Sequence, residues 1–280
     1  MNMKAVSADT PISTRASLTQ DLKQIGLKPD SIIMVHSALS AIGWVVGGPQ
    51  TVIHALQDAI APRGTLVMTA ATPFCEDPAN WADLEIPENQ LPVIRENLPL
   101  FDPLITPTTM GAIPEAFRTW PNTLRSDHPL SSVCARGPHA AEITATHALA
   151  ISEGSGTPYE QLYQMDAMIL LIGVGFNRCT ALHFAESQTK NRRLTTSRFP
   201  MLENGKRIWK EVPDMATDGS THFPVVGEQF VNSGRVLTGK LGNASCMLFP
   251  MQALVDFAMM YFKKALSCYY RKTENPKSST

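Results

Sequence analysis

The chain has 280 residues, 44% of them hydrophobic and 18% charged, with a formal net charge of -1. That length and composition suit a globular fold with a substantial core, and near-neutrality argues against nucleic acid as the main partner. No apolar run approaches the roughly 20 residues that span a bilayer, and the start MNMKAVSADTPISTRA lacks a signal peptide's apolar core, so a cytoplasmic protein without membrane contact is expected.

Residues 1–16 read as a loose tail. Ser17 and Gln20 form a capping box for a helix with Leu18, Leu22 and Ile25 on one face, ended at Gly26. Ser31–His36 (SIIMVH) reads as a buried strand, and Pro49 opens a helix striped by Val52, Ile53, Leu56 and Ile60. Thr65–Ala70 (TLVMTA) is the next strand, so a βαβ unit makes the sheet partly parallel. Seven prolines then punctuate residues 72–109, where Trp81, Ile94 and Phe101 favour an ordered lid over a linker. Short helices are expected at Gly111–Trp120, Pro138–Ala145 and Pro158–Met165, followed by a strand at Ala167–Val174. Thr180 caps a helix from Ala181 to about Lys190. A strand pair near Arg207–Val212 and Val236–Leu241, a strand at Ser245–Phe249 and an amphipathic helix from Pro250 to about Leu266 complete the pattern. With no repeat and no linker, this predicts one α/β domain over residues 17–268: a central mixed, partly parallel sheet flanked by helices, a long irregular acidic loop, and a polar tail at 269–280.

Cys75, Cys134, Cys179, Cys246 and Cys268 are dispersed with no C-x-x-C pair, which argues for buried hydrophobes rather than disulfides or a zinc site. His183 and Glu186 lie three apart on a predicted helix just past a strand's carboxyl end, where open α/β sheets bind ligands. A His beside a carboxylate is a competent general base; the same pair also suits an ordinary helix start. No second His or Cys stands at ligand spacing, so no metal is expected. His36-Ser37-Ala38-Leu39-Ser40, leading to Gly47-Gly48, offers hydroxyls and backbone N–H groups to an anion or an oxyanion, or forms a plain glycine turn. Arg125-Ser126-Asp127-His128 can grip a phosphate or form a polar turn. Between Thr72 and Glu115 eight acids face one base, Arg95. That stretch, Asp77, Asp83 and Glu85 included, is either an electrostatic trap for a polycation or a solvated loop.

Taken together, VHSALSAIGWVVGGPQTVIHAL, APRGTLVM, ENLPLFDP, MGAIPEAFRTWPNTLRSDHP, SEGSGTPYEQLYQMDAMILLIGVG, TALHFAE and GKLGNAS resemble, in order, the aminoglycoside 3-N-acetyltransferases (antibiotic N-acetyltransferases) across roughly residues 17–265. The resemblance implies acetyl-CoA as donor and an aminoglycoside amine as acceptor, the 3-amino group of the 2-deoxystreptamine ring, with antibiotic resistance as the outcome. It implies His183 as the catalytic histidine and Glu186 as its carboxylate. It places His36, Ser37 and Ser40 at the pantetheine and thioester end, and Ser126 and His128 in a cofactor-binding stretch. The acidic loop would then hold the acceptor through Asp77, Asp83 and Glu85, in a monomer or homodimer. An acetyltransferase for another amino sugar, and a non-catalytic binder of a cationic sugar or CoA, are the alternatives.

Overall fold

The computed structural model describes residues 7, 10–81, 84–190, 192–216 and 221–274. In chain order the elements are β1 (Ile12–Ser13), α1 (Arg15–Ile25), β2 (Ile32–Ser37), α2 (Leu39–Ile42), β3 (Trp44–Val45), α3 (Pro49–Ile60) and β4 (Thr65–Thr69). They continue through α4 (Leu91–Asn97), α5 (Ala112–Arg118), β5 (Leu124–Arg125), β6 (Val133–Arg136), α6 (Ala140–Thr144), α7 (Pro158–Gln164) and β7 (Met168–Ile172). The last third comprises α8 (Ala181–Ser187), β8 (Leu194–Glu203), β9 (Lys206–Met215), α9 (Phe223–Val231), β10 (Leu237–Leu241), β11 (Ala244–Pro250) and α10 (Met251–Glu274).

Seven strands form the main sheet in the order β10-β11-β7-β2-β4-β6-β5. The central trio β7, β2 and β4 is parallel, and the flanking pairs are antiparallel. Near-continuous apolar runs suit that centre, because helices cover both faces. One face packs Met34, Val67, Ile169 and Leu171 with Leu182 of α8 and Leu254 and Val255 of α10. The other packs Ile33, Val35, Leu66 and Leu170 with Leu18 and Leu22 of α1 and Val52, Ile53 and Leu56 of α3. The carboxyl ends of β2, β4 and β7 therefore open on the same side, where loops 37–40, 70–72 and 173–180 meet. Gly173 makes that meeting possible: its φ is +63, and a Cβ there would lie 2.2 Å from the Cβ of Ala41. Cys75, Cys134, Cys179 and Cys246 are buried free thiols, and the Cys268 side chain lies outside the described residues. Among the described residues no helix is long and apolar enough to cross a membrane.

Several expected boundaries move, each for a local reason. The capping box belongs to Thr14 and Ser17, not Ser17 and Gln20: the Thr14 hydroxyl accepts from Ser17 N–H, and the Ser17 hydroxyl accepts from Thr14 N–H. Ile12–Ser13, expected within the loose tail, pairs in parallel with Trp44–Val45. Arg207–Val212 does not pair with Val236–Leu241. It lies in β9, whose partner is β8 across the Asn204-Gly205 turn, while β10 pairs with β11 across Gly242-Asn243. Both residues of the first turn have positive φ, 51° for Asn204 and 73° for Gly205, the two-residue geometry that suits a twisted hairpin. Helix α10 runs to Glu274, past the expected end near Leu266, and α8 stops at Ser187 rather than near Lys190.

The long proline-rich segment is ordered. Short 3-10 turns at Pro73–Cys75, Pro78–Asn80 and Glu88–Gln90 lead into α4. Phe74, Cys75 and Phe101 pack against Phe199, Val212 and Met201 of the β8–β9 hairpin. Arginines from outside the segment hold its backbone. Arg207 donates to the carbonyls of Leu98 and Arg95, and Arg125 donates to that of Thr106 while lying 4.8 Å above the Phe101 ring. The hairpin and this segment thus form one wall over the carboxyl edge of the sheet.

Candidate active site

Loop 173–180 carries the chain from the end of β7 into α8 and sets His183 in the first turn of that helix. Thr180 occupies the N-cap position without a side-chain cap, and its buried hydroxyl has no partner. The His183 ring packs edge-on against Phe223, with centroids 4.6 Å apart. One helical turn on, Glu186 is buried, with its Oε2 3.8 Å from His183 Nδ1. That separation is longer than a hydrogen bond, and neither atom has another partner. Burial opposes charging of the His183 ring, but Glu186, Glu153 and Asp214 outweigh it and raise the pKa above its ordinary value of 6.5.

His183 lies on the boundary of two cavities. The first, about 640 Å³, is lined by His36–Ser40 from the end of β2, Thr109–Pro114 ahead of and within α5, Asn177–Thr180, and Phe223. Among the described residues, Arg178 is the one cationic side chain besides histidine on its walls. His36 is buried with Nε2 unpartnered, and burial pushes its pKa down to about 4, so the ring is neutral. The Ser37 hydroxyl is also buried and unpartnered. The expected residues His36, Ser37 and Ser40 therefore share a cavity with His183, while Gly47 and Gly48 do not line it.

The second cavity, about 440 Å³, has acidic walls: Glu76 from the proline-rich segment, Glu153 from the loop before α7, and Asp214 from β9. Ser131, Ser152 and Ser197 lie between them, and Met110 borders both cavities. Burial, with Asp214 adding to it, raises the pKa of Glu153; the nearby His183 ring opposes the rise. Burial also raises that of Glu76. A third cavity, about 690 Å³, follows the β10–β11 edge, and among the described residues neither His183 nor a carboxylate lines it. Among the described residues no group of three or more His, Cys, Asp or Glu forms a metal-ligand set.

Other expected site residues lie elsewhere. Ser126 and His128 are 0% exposed and line neither cavity; their polar atoms bond within the protein. Asp77 is buried between two guanidiniums, 2.9 Å from Arg95 and 2.7 Å from Arg198. Burial acts to raise its pKa, but Arg95, the Ala79 N–H and Arg198 outweigh it and hold the carboxyl below the ordinary value. Glu85 is exposed and lines neither cavity, and Asp83 lies outside the described residues. The carboxylates that do face His183 include two that the sequence reading did not single out, Glu153 and Asp214. Glu153 falls inside the quoted segment SEGSGTP, whereas Asp214 carried no signal, because its place in the cavity depends on the hairpin.

A raised His183 pKa has a direct test. Carboxylates stabilise the imidazolium, so the His183 ring should titrate above 6.5 by NMR, and Glu186→Gln should move the midpoint down. By the same linkage, the ring's contribution to stability is complete below pH 6.5 and fades as pH rises through the folded midpoint. A midpoint at or below 6.5 in the wild type would refute the electrostatic assignment.

The arrangement places His183 between a cavity with one arginine and no carboxylate among its described lining residues and a cavity whose carboxylates suit a cation. It can take a proton from an amine held on one side as that amine attacks an acyl group held on the other. The family model described as Aminoglycoside 3-N-acetyltransferase matches residues 34–263. Over 261 residues, 92% of this chain and 96% of the relative, the chain is 38% identical to the SPbeta prophage-derived aminoglycoside N(3')-acetyltransferase-like protein YokD of Bacillus subtilis (strain 168). The crystal structure of YokD superposes with a TM-score of 0.86 over 89% of this chain and 93% of that one. The structure of AAC-IIIb in a binary complex with CoASH is 30% identical, with a TM-score of 0.81 over 91% of this chain and 97% of that one. AAC-VIa bound to sisomicin is 28% identical, with a TM-score of 0.80 over 90% of this chain and 98% of that one. A match spanning the sheet, the His183 helix and the walls of both cavities makes this chain a member of the aminoglycoside 3-N-acetyltransferase family.

Proposed function

We propose that this chain transfers the acetyl group of acetyl-CoA to the 3-amino group of the deoxystreptamine ring of an aminoglycoside, conferring resistance, and that it acts in the cytoplasm as a monomer or homodimer. The observation that carries this reading is His183 at the junction of a cavity bearing Arg178 and an acidic one. The acceptor's ammonium groups meet Glu76, Glu153 and Asp214. The thioester end of acetyl-CoA lies in the other cavity, near His36, Ser37 and Ser40, with Arg178 toward the phosphates. The amine nitrogen attacks the thioester carbonyl carbon, and His183 takes the proton the nitrogen releases. Glu186 stabilises the resulting imidazolium. The Ser37 hydroxyl and backbone N–H groups near it stabilise the oxyanion. The C–S bond then breaks, CoA leaves as the thiol, and its sulfur receives the proton.

Thiol release from acetyl-CoA with a panel of amines tests the reading: aminoglycosides should give turnover and simple monoamines little. Binding without thiol release would leave only a binding protein. In the donor cavity, Arg178→Ala and the Ser37→Ala, Ser40→Ala double variant should each raise the acetyl-CoA KM roughly tenfold, the size of one charge-assisted contact. The acceptor KM should stay within about twofold. An unchanged acetyl-CoA KM in both variants would remove the donor assignment.

A further inference from the structure

Two histidines that the mechanism does not use stand behind the acidic cavity. The rings of His128 and His147 pack together tilted by 35°, with centroids 4.5 Å apart. His128 Nδ1 accepts the N–H groups of Leu130 at 3.1 Å and Ser131 at 3.0 Å, so its proton resides on Nε2, 3.3 Å from the Leu149 carbonyl. His147 Nε2 lies 2.8 Å from the Ser152 carbonyl oxygen, which can only accept, so Nε2 carries the proton there too. His147 Nδ1 then accepts the Ser126 hydroxyl at 2.8 Å. Ser126 Oγ in turn accepts the Val133 N–H at 2.8 Å. Both rings are therefore neutral. Burial, helped by the neighbouring His128, holds His147 down to about 3, and burial lowers His128 as well.

The two serines that these rings fix are cavity residues. Ser152 N–H donates to Asp214 Oδ1 at 3.0 Å. Its hydroxyl lies 3.0 Å from Asp214 Oδ2 and 2.9 Å from Glu153 Oε2. Ser131 Oγ is 3.0 Å from Ser152 Oγ. Directly before Ser152, Ile151 has φ +53, a conformation that β-branched residues rarely adopt and that needs surrounding contacts to hold it.

We propose that His147, backed by His128, is a positioning residue for the acceptor: through Ser152 and Ser131 it fixes where Asp214 and Glu153 present their carboxylates. This rests on the reading of the acidic cavity as the acceptor site. It also explains the buried Ser126 and His128, which hold the loop that builds the acceptor site rather than a phosphate.

The test compares His147→Phe, which removes both hydrogen bonds, with His147→Gln, whose amide can still donate toward Ser152. His147→Phe should raise the acceptor KM, read with sisomicin, roughly tenfold or more, while the acetyl-CoA KM stays within about twofold; His147→Gln should recover most of the loss. A second readout does not depend on turnover. The Glu153 carboxyl, followed by carbon NMR, should titrate above the ordinary glutamate range in the wild type, facing His183, Asp214 and Glu76. In His147→Phe it should rise further, because the Ser152 and Ser131 hydroxyls that lower it are no longer held against the carboxyl. If the wild type neither binds nor acetylates sisomicin, the functional reading fails, and the Glu153 titration still decides this inference. If His147→Phe does not fold, Ser126→Ala keeps both rings and should shift the same readouts in the same direction. Folded variants with unchanged Glu153 titration and unchanged acceptor KM overturn the proposal. So does a wild-type His147 ring that titrates near 6.5.

Discussion

Replacing His183 by alanine should lower turnover by about 10²–10⁴-fold, the span general-base catalysis supplies, with little change in folding. The ring is 24% exposed and packs mainly on Phe223, so the variant loses a modest contact and leaves no sealed cavity. No other imidazole among the described residues lines both cavities, and the next one in the donor cavity, His36, is held neutral near 4 and is a poor base at pH 7. Glu186→Gln should cost less, because Glu153 and Asp214 also stabilise the imidazolium. Thiol release under saturating substrates measures both. A folded His183→Ala protein that keeps turnover within about threefold of wild type would mean that the proton leaves by another route.

The second large effect falls on stability. Asp77→Ala should destabilise the protein by about 2–4 kcal/mol, because it leaves two guanidiniums facing each other without their shared counter-ion. Arg95 and Arg198 are 31% and 32% exposed, so water offsets part of the loss and keeps it below that of a fully enclosed pair. The effect reaches further than one ion pair, since Asp77 joins the proline-rich segment to β8, and the hairpin presents Asp214. Glu85→Gln is the matched control and should stay within about 0.5 kcal/mol, as exposed substitutions do. Urea unfolding of the two variants decides between a strut and a ligand. A stable Asp77→Ala protein with a raised acceptor KM would return Asp77 to the acceptor site.

These two acids also show what the sequence could and could not reveal. The clustering of eight acids against one base was legible. Which acid meets the cavity was not: Asp77 is neutralised by Arg198, 121 positions away, whereas Glu76, its neighbour in the chain, turns into the cavity. The central strands, the Pro49 helix and the His183–Glu186 pair were readable because their signals are local: apolar runs, a helix-opening proline and a spacing of three. Asp214 was invisible for the opposite reason. Its place depends on β9 pairing with β8 across the Asn204-Gly205 turn, not with the strand near Val236–Leu241. Likewise Ser126 and His128 were recognised as polar groups in a distinctive segment, but only the packed structure shows that their hydrogen bonds end inside the protein.

The β8–β9 hairpin lies outside the main sheet, joined to it by no strand pairing. Yet it supplies Thr195, Thr196, Ser197, Asp214 and Met215 to one cavity and nothing to the other. That other cavity, the proposed donor site, takes His36, Ser37 and Thr69 from the sheet itself. On the proposed reading, the two substrates would be housed by parts with different tolerance for change. Mutations in a two-stranded ribbon can reshape one wall without shifting the register of seven paired strands. A lineage meeting new antibiotics can retune what it acetylates while its hold on the acetyl donor stays fixed.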